Sequence, residues 1–453
     1  MSAELTGRTG ETPQRRRGAT QAVASSVDIQ LIAIIATFLL LGLVMVLSAS
    51  YALAGTYYFV RQALWVALGV VVCAIMALIP HRFWQQMALP FMLVSIALLV
   101  AVLVIGEETF GAGRTLFGGR FQPSEVAKLA VVIYVAAWVA AHSKRMNSLT
   151  DGLLPFLFIM GLVAGLIMAE KSFSVTIIVL AIGLTIFFVG GGHPGQLFLL
   201  LLIGTPVLLF AMYEAGYAWD RITGWYNIWF NPSRAPEQLL RLTAMLREGR
   251  GSIADPTIWQ AKASVPGLWS DYLFANIGAD LPVIGTFLVV ALYAAFGYRA
   301  LGVALNAPDW FGSLMGVGVT AWITVQAAIH IGTSLTLIPP TGQPLPFMSY
   351  GGSSLLSSMA AAGLLLSISR AATEKKATHA HFAVGWGDWR PRLPRPRSGG
   401  RAASRGQDRG ARSASRGRSA VRKQTGRATR GRGSSPTTRR NTASASRARR
   451  ARR

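Results

Sequence analysis

Four polar clusters interrupt an otherwise apolar chain, and their residue types suit acid–base and anion chemistry. The first is Trp269-Ser-Asp271-Tyr-Leu-Phe-Ala-Asn276-Ile-Gly-Ala-Asp280-Leu-Pro282. Asp271 has Tyr272, Leu273 and Phe274 beside it, surroundings that raise a carboxyl's pKa toward that of a useful general base. On residue type alone, a solvated loop carboxylate is the plainer reading. Asp280 lies two residues before Pro282, the spacing of a helix cap, and reads as structural. The second cluster runs from Gly111-Ala-Gly-Arg114 to Phe121-Gln-Pro-Ser-Glu-Val-Ala-Lys128. Pro123 suits a first helical turn, and Glu125 and Lys128 at i,i+3 share one face and can pair. Ionisable groups at the mouth of an apolar helix mark a functional site by default; the alternative is a pair that only anchors the helix.

The third cluster, Glu170-Lys171-Ser-Phe-Ser-Val-Thr176, is a charged turn between two apolar runs and is weak evidence alone. The fourth, Pro339 to Ser354 (PPTGQPLPFMSYGGSS), carries hydroxyls and small residues stiffened by prolines that include Pro344 and Pro346. Exposed amides near Gly351 and Gly352 can cradle phosphate oxygens, or the small residues can serve close helix packing. No phosphate-binding P-loop, zinc-type His/Cys spacing, Ser/His/Asp arrangement or dinucleotide fingerprint appears. His330, within an apolar run, reads as a hydrogen-bonded packing residue.

The elements that must position these groups are membrane spans. The chain has 453 residues, 52% of them hydrophobic. Apolar runs near the ~20 residues that a bilayer core requires fall at about 28–50, 59–80, 87–106, 123–142, 152–169, 173–191, 195–215, 282–304, 312–337 and 348–370. The expected fold is therefore all-α, a polytopic membrane protein of about ten helices spanning 28–370. Residues 1–27 are expected to be a disordered leader, 216–281 a large loop, and 371–453 a disordered basic tail. That tail holds 24 Lys/Arg against 3 Asp/Glu, a net +21 of the chain's +25. It can bind anionic membrane lipid; no folded module accompanies it, so no specific nucleic acid is expected. Lys/Arg placement puts both termini in the cytoplasm and all four clusters at the outer face. The single cysteine, Cys73, excludes an internal disulfide.

FQPSEVAK, GVTAWITVQAAIHIG and TGQPLPFMSYGGSSLL, with the ten-span layout and the loop before the eighth span, strongly resemble the bacterial SEDS proteins, FtsW, RodA and SpoVE. The likeness covers about residues 28–370, and the long basic tail leans toward the division-type FtsW branch. The resemblance implies a peptidoglycan glycosyltransferase that polymerises lipid II at the outer face of the bacterial cytoplasmic membrane, with a class B penicillin-binding transpeptidase as partner. In that family an aspartate in a T-D-F-I-F-like context before G-E-E-L is the catalytic carboxylate. Ser-Asp271-Tyr-Leu-Phe followed by Gly278-Ala-Asp280-Leu matches it. Gln122, Glu125 and Lys128 match the family's Q-P-S-E-x-x-K block, and Arg114 a basic residue ahead of it. The chain departs from the pattern at Ala279, at His330 in place of Asn, and at Lys171-Ser-Phe-Ser in place of P-D-L-G.

With this resemblance, Asp271 is the expected base, and Arg114, Lys128 and Lys171 the groups that balance a departing diphosphate. Gln122, Glu125, Thr341, Ser349, Tyr350, Gly351, Gly352 and Ser353 are the expected substrate contacts, with Pro123, Pro344, Pro346 and Asp280 structural. The resemblance implies no definite cofactor; a divalent cation (Mg or Mn) is left open. Two other classes remain open at this stage. A lipid II flippase should show polar residues across the whole membrane, and a non-catalytic scaffold should work without its carboxylate.

Overall fold

The computed structural model describes residues 28–108, 114–116, 121–248 and 256–386. The expected leader, and the tail beyond Trp386, lie outside them. Among the described residues, nine helices are long and apolar enough to cross a membrane, and Phe173–Val189 is a shorter tenth. All ten lie where apolar length places them. This agreement follows from bilayer physics, because a lipid-embedded backbone must satisfy its own N–H and C=O groups and so forms helices.

In chain order the helices are α1 (Ile29–Ala54), α2 (Tyr57–Leu78), α3 (His81–Gln86), α4 (Ala88–Ile105) and α5 (Pro123–His142), then α6 (Leu154–Ala169), α7 (Phe173–Val189) and α8 (Pro194–Glu214). The large loop folds into α9 (Tyr217–Phe230), α10 (Glu237–Glu248), α11 (Pro256–Ala263) and α12 (Leu273–Asp280). The last spans are α13 (Pro282–Leu305), α14 (Trp310–Ser334) and α15 (Gly352–Trp386). Between α4 and α5, Glu107–Glu108 pairs antiparallel with Arg114–Thr115.

Helices α5, α14 and α15 form the centre, buried along most of their length, whereas α8 stands almost wholly exposed at the edge. Asp28 caps α1 by accepting from Leu31 N at 3.0 Å and ties it to α13 through Arg299 Nη2 at 2.6 Å. In the middle of α1, Gly42 lies against the chain after Pro339. A Cβ there would come within 2.7 Å of Met348 Cα, so only glycine permits this approach. Phe38 stacks on Phe347 at 5.7 Å from the same helix.

Two expectations change. The tenth span starts at Gly352, because Leu345–Ser349 is held as a turn with Ser349 N on Leu345 O at 3.0 Å. It then continues past Arg370 to Trp386, so residues 371–386 are helical and do not belong to a disordered tail. The reason is local: Ala371-Ala-Thr-Glu-Lys-Lys-Ala contains good helix formers and no breaker.

Asp280 does not cap α13, whose N-cap residue is Leu281. Its carboxylate instead forms a buried ion pair with Lys262 of α11 and accepts from Ser48 of α1 at 2.5 Å and from Asn276 at 3.2 Å. The pair pins the loop helices to the first span. Removing one member of such a pair strands the other charge in the interior, costing about 3–5 kcal/mol. Lys262→Met should therefore lower the thermal unfolding temperature of the detergent-solubilised protein sharply. Lys262→Met combined with Asp280→Leu should recover most of the loss; a double variant worse than the single would refute the pairing.

Candidate active site

The turn that delivers Asp271 is built by Gly267, whose φ of 72° lies in the left-handed region. It allows Asp271 N to donate to Gly267 O at 2.8 Å, folding Pro266–Asp271 back on itself just before α12. Leu268, Tyr272, Leu273 and Phe274 are buried on either side of the turn. Tyr58 of α2 stacks on Trp269 at 4.8 Å, and Tyr350 N donates to Trp269 O at 3.0 Å. The aspartate is thereby fastened to α2 and to the Pro339–Ser354 loop at once.

That loop has an uneven hydrogen-bond inventory. Its prolines lack N–H donors, so its carbonyls need donors from elsewhere. The spans supply them: Tyr293 Oη to Pro346 O at 2.5 Å, Gln326 Nε2 to Pro344 O at 2.8 Å, and Gln62 Nε2 to Ser349 O at 3.1 Å. Ser174 Oγ donates to Thr341 O at 2.8 Å. His330 Nδ1 lies 2.7 Å from Gln343 O while its Nε2 lies 3.4 Å from Phe274 N. The neutral Nδ1–H tautomer satisfies both contacts, so this buried histidine is a strut between the loop and the start of α12.

The cavity beneath these elements has a volume of about 670 Å³, a size typical of small-molecule sites. Asp271, Lys171, Gln122 and Thr341 line it, as the sequence reading requires. The lining also has an apolar part: Leu208, Leu209 and Met212 of the exposed helix α8, with Ile177 and Ile338. Lys171 adopts φ 62°, an uncommon conformation for a non-glycine residue, in the tight turn between α6 and α7.

Other expected residues lie elsewhere. Glu125 and Lys128 are almost completely buried, 2.8 Å apart, and do not line the cavity. Lys128 Nζ also donates to Gln326 Oε1 at 2.8 Å and sits 5.1 Å from the Trp322 ring centroid. It is a support behind the loop and does not face a diphosphate. Ser349 is absorbed by its turn, its Oγ accepting from Leu345 N at 3.0 Å. Tyr350 packs edge-on against Tyr58. Gly352 fits against Trp65, whose ring lies 2.5 Å from where a Cβ would stand, so it serves packing and builds no anion cradle. Gly351 and Ser353 are likewise absent from the lining; Pro123, Pro344 and Pro346 take their expected structural places. The Arg114 side chain lies outside the described residues, although its neighbour Thr115 reaches the cavity.

One functional group was missed. Arg221 of α9 lines the cavity, stacks over Tyr217 at 4.5 Å and donates to Pro340 O at 3.3 Å. Its guanidinium and Asp271 Oδ2 flank Gly342, within 3.9 Å of where a Cβ would stand. The available signal was the Tyr217–Arg221 spacing at i,i+4 on an amphipathic helix. Burial pushes the Asp271 carboxyl above its ordinary range, opposed by a hydrogen bond from Ser270 and by the charge of Arg221. The cavity thus holds a base-competent carboxylate and two cations among polar and apolar lining residues.

Gln326 carries both the Pro344 carbonyl and the Lys128 ammonium. Gln326→Leu leaves both without that partner, each orphaned group costing about 1–3 kcal/mol. A clear drop in thermal stability is expected, whereas Gln326→Glu, which keeps the Lys128 partner, should lose less. Equal losses would show that the Lys128 bond carries no weight.

Comparison with known proteins points to one family. Residues 29–374 match the family model described as the cell cycle proteins FtsW, RodA and SpoVE. A probable peptidoglycan glycosyltransferase FtsW of Thioalkalivibrio sulfidiphilus is 33% identical over 370 residues, covering 78% of this chain and 92% of the relative. Stage V sporulation protein E of Bacillus subtilis is 31% identical, covering 76% and 98%. Among solved structures, a chain from a peptidoglycan synthase complex that coordinates polymerization and crosslinking superposes with a TM-score of 0.64 at 25% identity, covering 76% and 98%. With its spans, its cavity and these relatives taken together, the chain is a multi-pass membrane protein that belongs to the FtsW/RodA/SpoVE family.

Proposed function

We propose that this protein is a peptidoglycan glycosyltransferase that polymerises lipid II at the outer face of the bacterial cytoplasmic membrane. The observation that carries this reading is the cavity itself. A carboxylate and two cations line it together with apolar residues of the exposed helix α8. Such a pocket suits a substrate with a charged sugar-diphosphate head and a hydrocarbon tail.

In the reaction, an acceptor sugar hydroxyl attacks the anomeric carbon of the donor. A new C–O glycosidic bond forms, the C–O bond to the diphosphate breaks, and the hydroxyl proton passes to Asp271. Arg221 and Lys171 stabilise the negative charge on the leaving diphosphate, an effect that is large where water is scarce. Direct displacement inverts the anomeric centre. Mg²⁺ or Mn²⁺ is chemically compatible, since one carboxylate plus substrate phosphate oxygens is a usual ligand set; Asp271 is the sole carboxylate among the described lining residues.

The distribution of Lys and Arg supports cytoplasmic termini, which places the cavity outside. A class B penicillin-binding transpeptidase is the proposed partner, consistent with the synthase complex that holds the structural relative. The polar lining of the cavity gathers at one end of the bundle, and beyond the Lys128–Gln326 contact the buried residues Val132, Ile133, Val319 and Ile323 of α5 and α14 are apolar. This favours an enzyme over a flippase.

Asp271→Asn should reduce lipid II polymerisation by the purified protein about 10²–10⁴-fold, the range of a general base. Retained activity would remove Asp271 from the mechanism, and growth supported by an inactive variant would favour a scaffold. A base acts deprotonated, so activity should fall as pH drops through the raised Asp271 pKa. Arg221→Gln removes a charge that lowers that pKa, so the acid limb of the pH–rate profile should move to higher pH. An unmoved limb would separate Arg221 from Asp271.

A further inference from the structure

We propose that Gln343 is a specificity residue of the Asp271 cavity, whose side-chain amide donates a hydrogen bond to the acetamido carbonyl of an N-acetylated sugar. The proposal rests on the glycosyltransferase reading for its substrate and adds a residue to it. Gln343 lines the cavity with Asp271, Lys171 and Arg221. It directly follows Gly342, whose flanks hold the Arg221 guanidinium and Asp271 Oδ2. A side chain at this position belongs to the residue next to the point where base and cation meet.

The backbone there has little freedom. Thr341 O accepts from Ser174 Oγ at 2.8 Å, Gln343 O lies 2.7 Å from His330 Nδ1, and Pro344 O accepts from Gln326 Nε2 at 2.8 Å. Gly342 holds φ at 64°, and the Pro344 ring fixes the φ that follows. The carbonyls on both sides of Gln343 are thus tied to α7 and α14, and its amide is carried on a fixed support, as precise recognition requires.

The side chain itself holds nothing. Gln343 is 7% exposed, and neither of its amide atoms has a hydrogen-bond partner among the described residues. Oε1 is sealed without one, and Nε2 is the atom that reaches the cavity. Buried side-chain amides are normally paired. The two structural glutamines of this region show what a brace looks like: Gln62 and Gln326 each carry a loop carbonyl through Nε2. Gln343 carries none, so its N–H groups are left for a ligand. An uncharged donor adds little to a diphosphate that already meets Lys171 and Arg221. It suits a neutral acceptor, and on an N-acetylated sugar the strongest of these is the acetamido carbonyl.

The test measures lipid II polymerisation by the full chain in detergent, beside an analogue whose sugars carry hydroxyl groups in place of both acetamido groups. The parent should prefer lipid II, because the analogue leaves the Gln343 donor unpaired. Gln343→Met should lower kcat/KM for lipid II about ten-fold and leave that for the analogue unchanged, shrinking the preference by the same factor. Its thermal unfolding temperature should not fall, since the replaced side chain holds no other residue. A lowered temperature with equal losses on both substrates would make Gln343 a packing residue and overturn the proposal. Gln343→Ala gives the same comparison if the methionine variant does not fold, and an undiminished preference in the folded variant would also overturn it. A parent that binds lipid II in native mass spectrometry without polymerising it would remove the glycosyltransferase reading alone; the same ratio, taken from binding, would then decide Gln343. Absence of any binding would overturn both.

Discussion

The arrangement of the active end depends on one constraint: the carbonyls of a proline-rich loop at a membrane edge must find donors. A loop with few N–H groups cannot satisfy itself, and away from water each orphaned carbonyl is costly. Here Gln62, Ser174, Tyr293, Gln326 and His330 each carry one loop carbonyl, and they come from four different spans. The loop thereby becomes a cross-brace, and its rigidity is a consequence of donors that arrive from every side. Gly42 completes the arrangement by letting the first span touch the backbone at Met348.

This brace explains why the buried Glu125–Lys128 pair exists without facing substrate. Desolvating two charges is expensive, and such a pair seldom adds net stability. Its value lies in geometry: Lys128 fixes Gln326, and Gln326 fixes the Pro344 carbonyl. On the cavity side, the same brace presents Gly342 with Asp271 and Arg221 on its flanks. The carboxylate is basic because burial raises its pKa, and it remains usable because Arg221 and Ser270 limit that rise. The large loop holds this balance in register through Lys262 and Asp280 below and through Trp225 Nε1 on Thr336 O at 2.8 Å above.

Both ends of the bundle bring cations and a carboxylate together. At the Asp271 end, cations and a carboxylate meet across an amphiphilic cavity. At the His81 end, Asp309 accepts from His81 and Arg82, and Glu374 pairs with Arg370. Beyond the Lys128–Gln326 contact, α5 and α14 bury Val132, Ile133, Val319 and Ile323.

The sequence by itself determined the ten apolar helices, their order, the large loop and the identity of Asp271 as the group to watch. Span formation is legible because it is local: about 20 apolar residues must close their own backbone hydrogen bonds wherever the rest of the chain goes. Membership of the cavity was not legible in the same way. Lys128 and Lys171 are both lysines at span ends, yet one is sealed behind the loop and the other lines the cavity. Asp280 looked like a cap and became the partner of Lys262, while Arg221 looked like one loop charge among many and stands beside Asp271. Only the tertiary structure decided these, because each depends on which side chains packing brings together from distant parts of the chain, and no local pattern encodes that meeting.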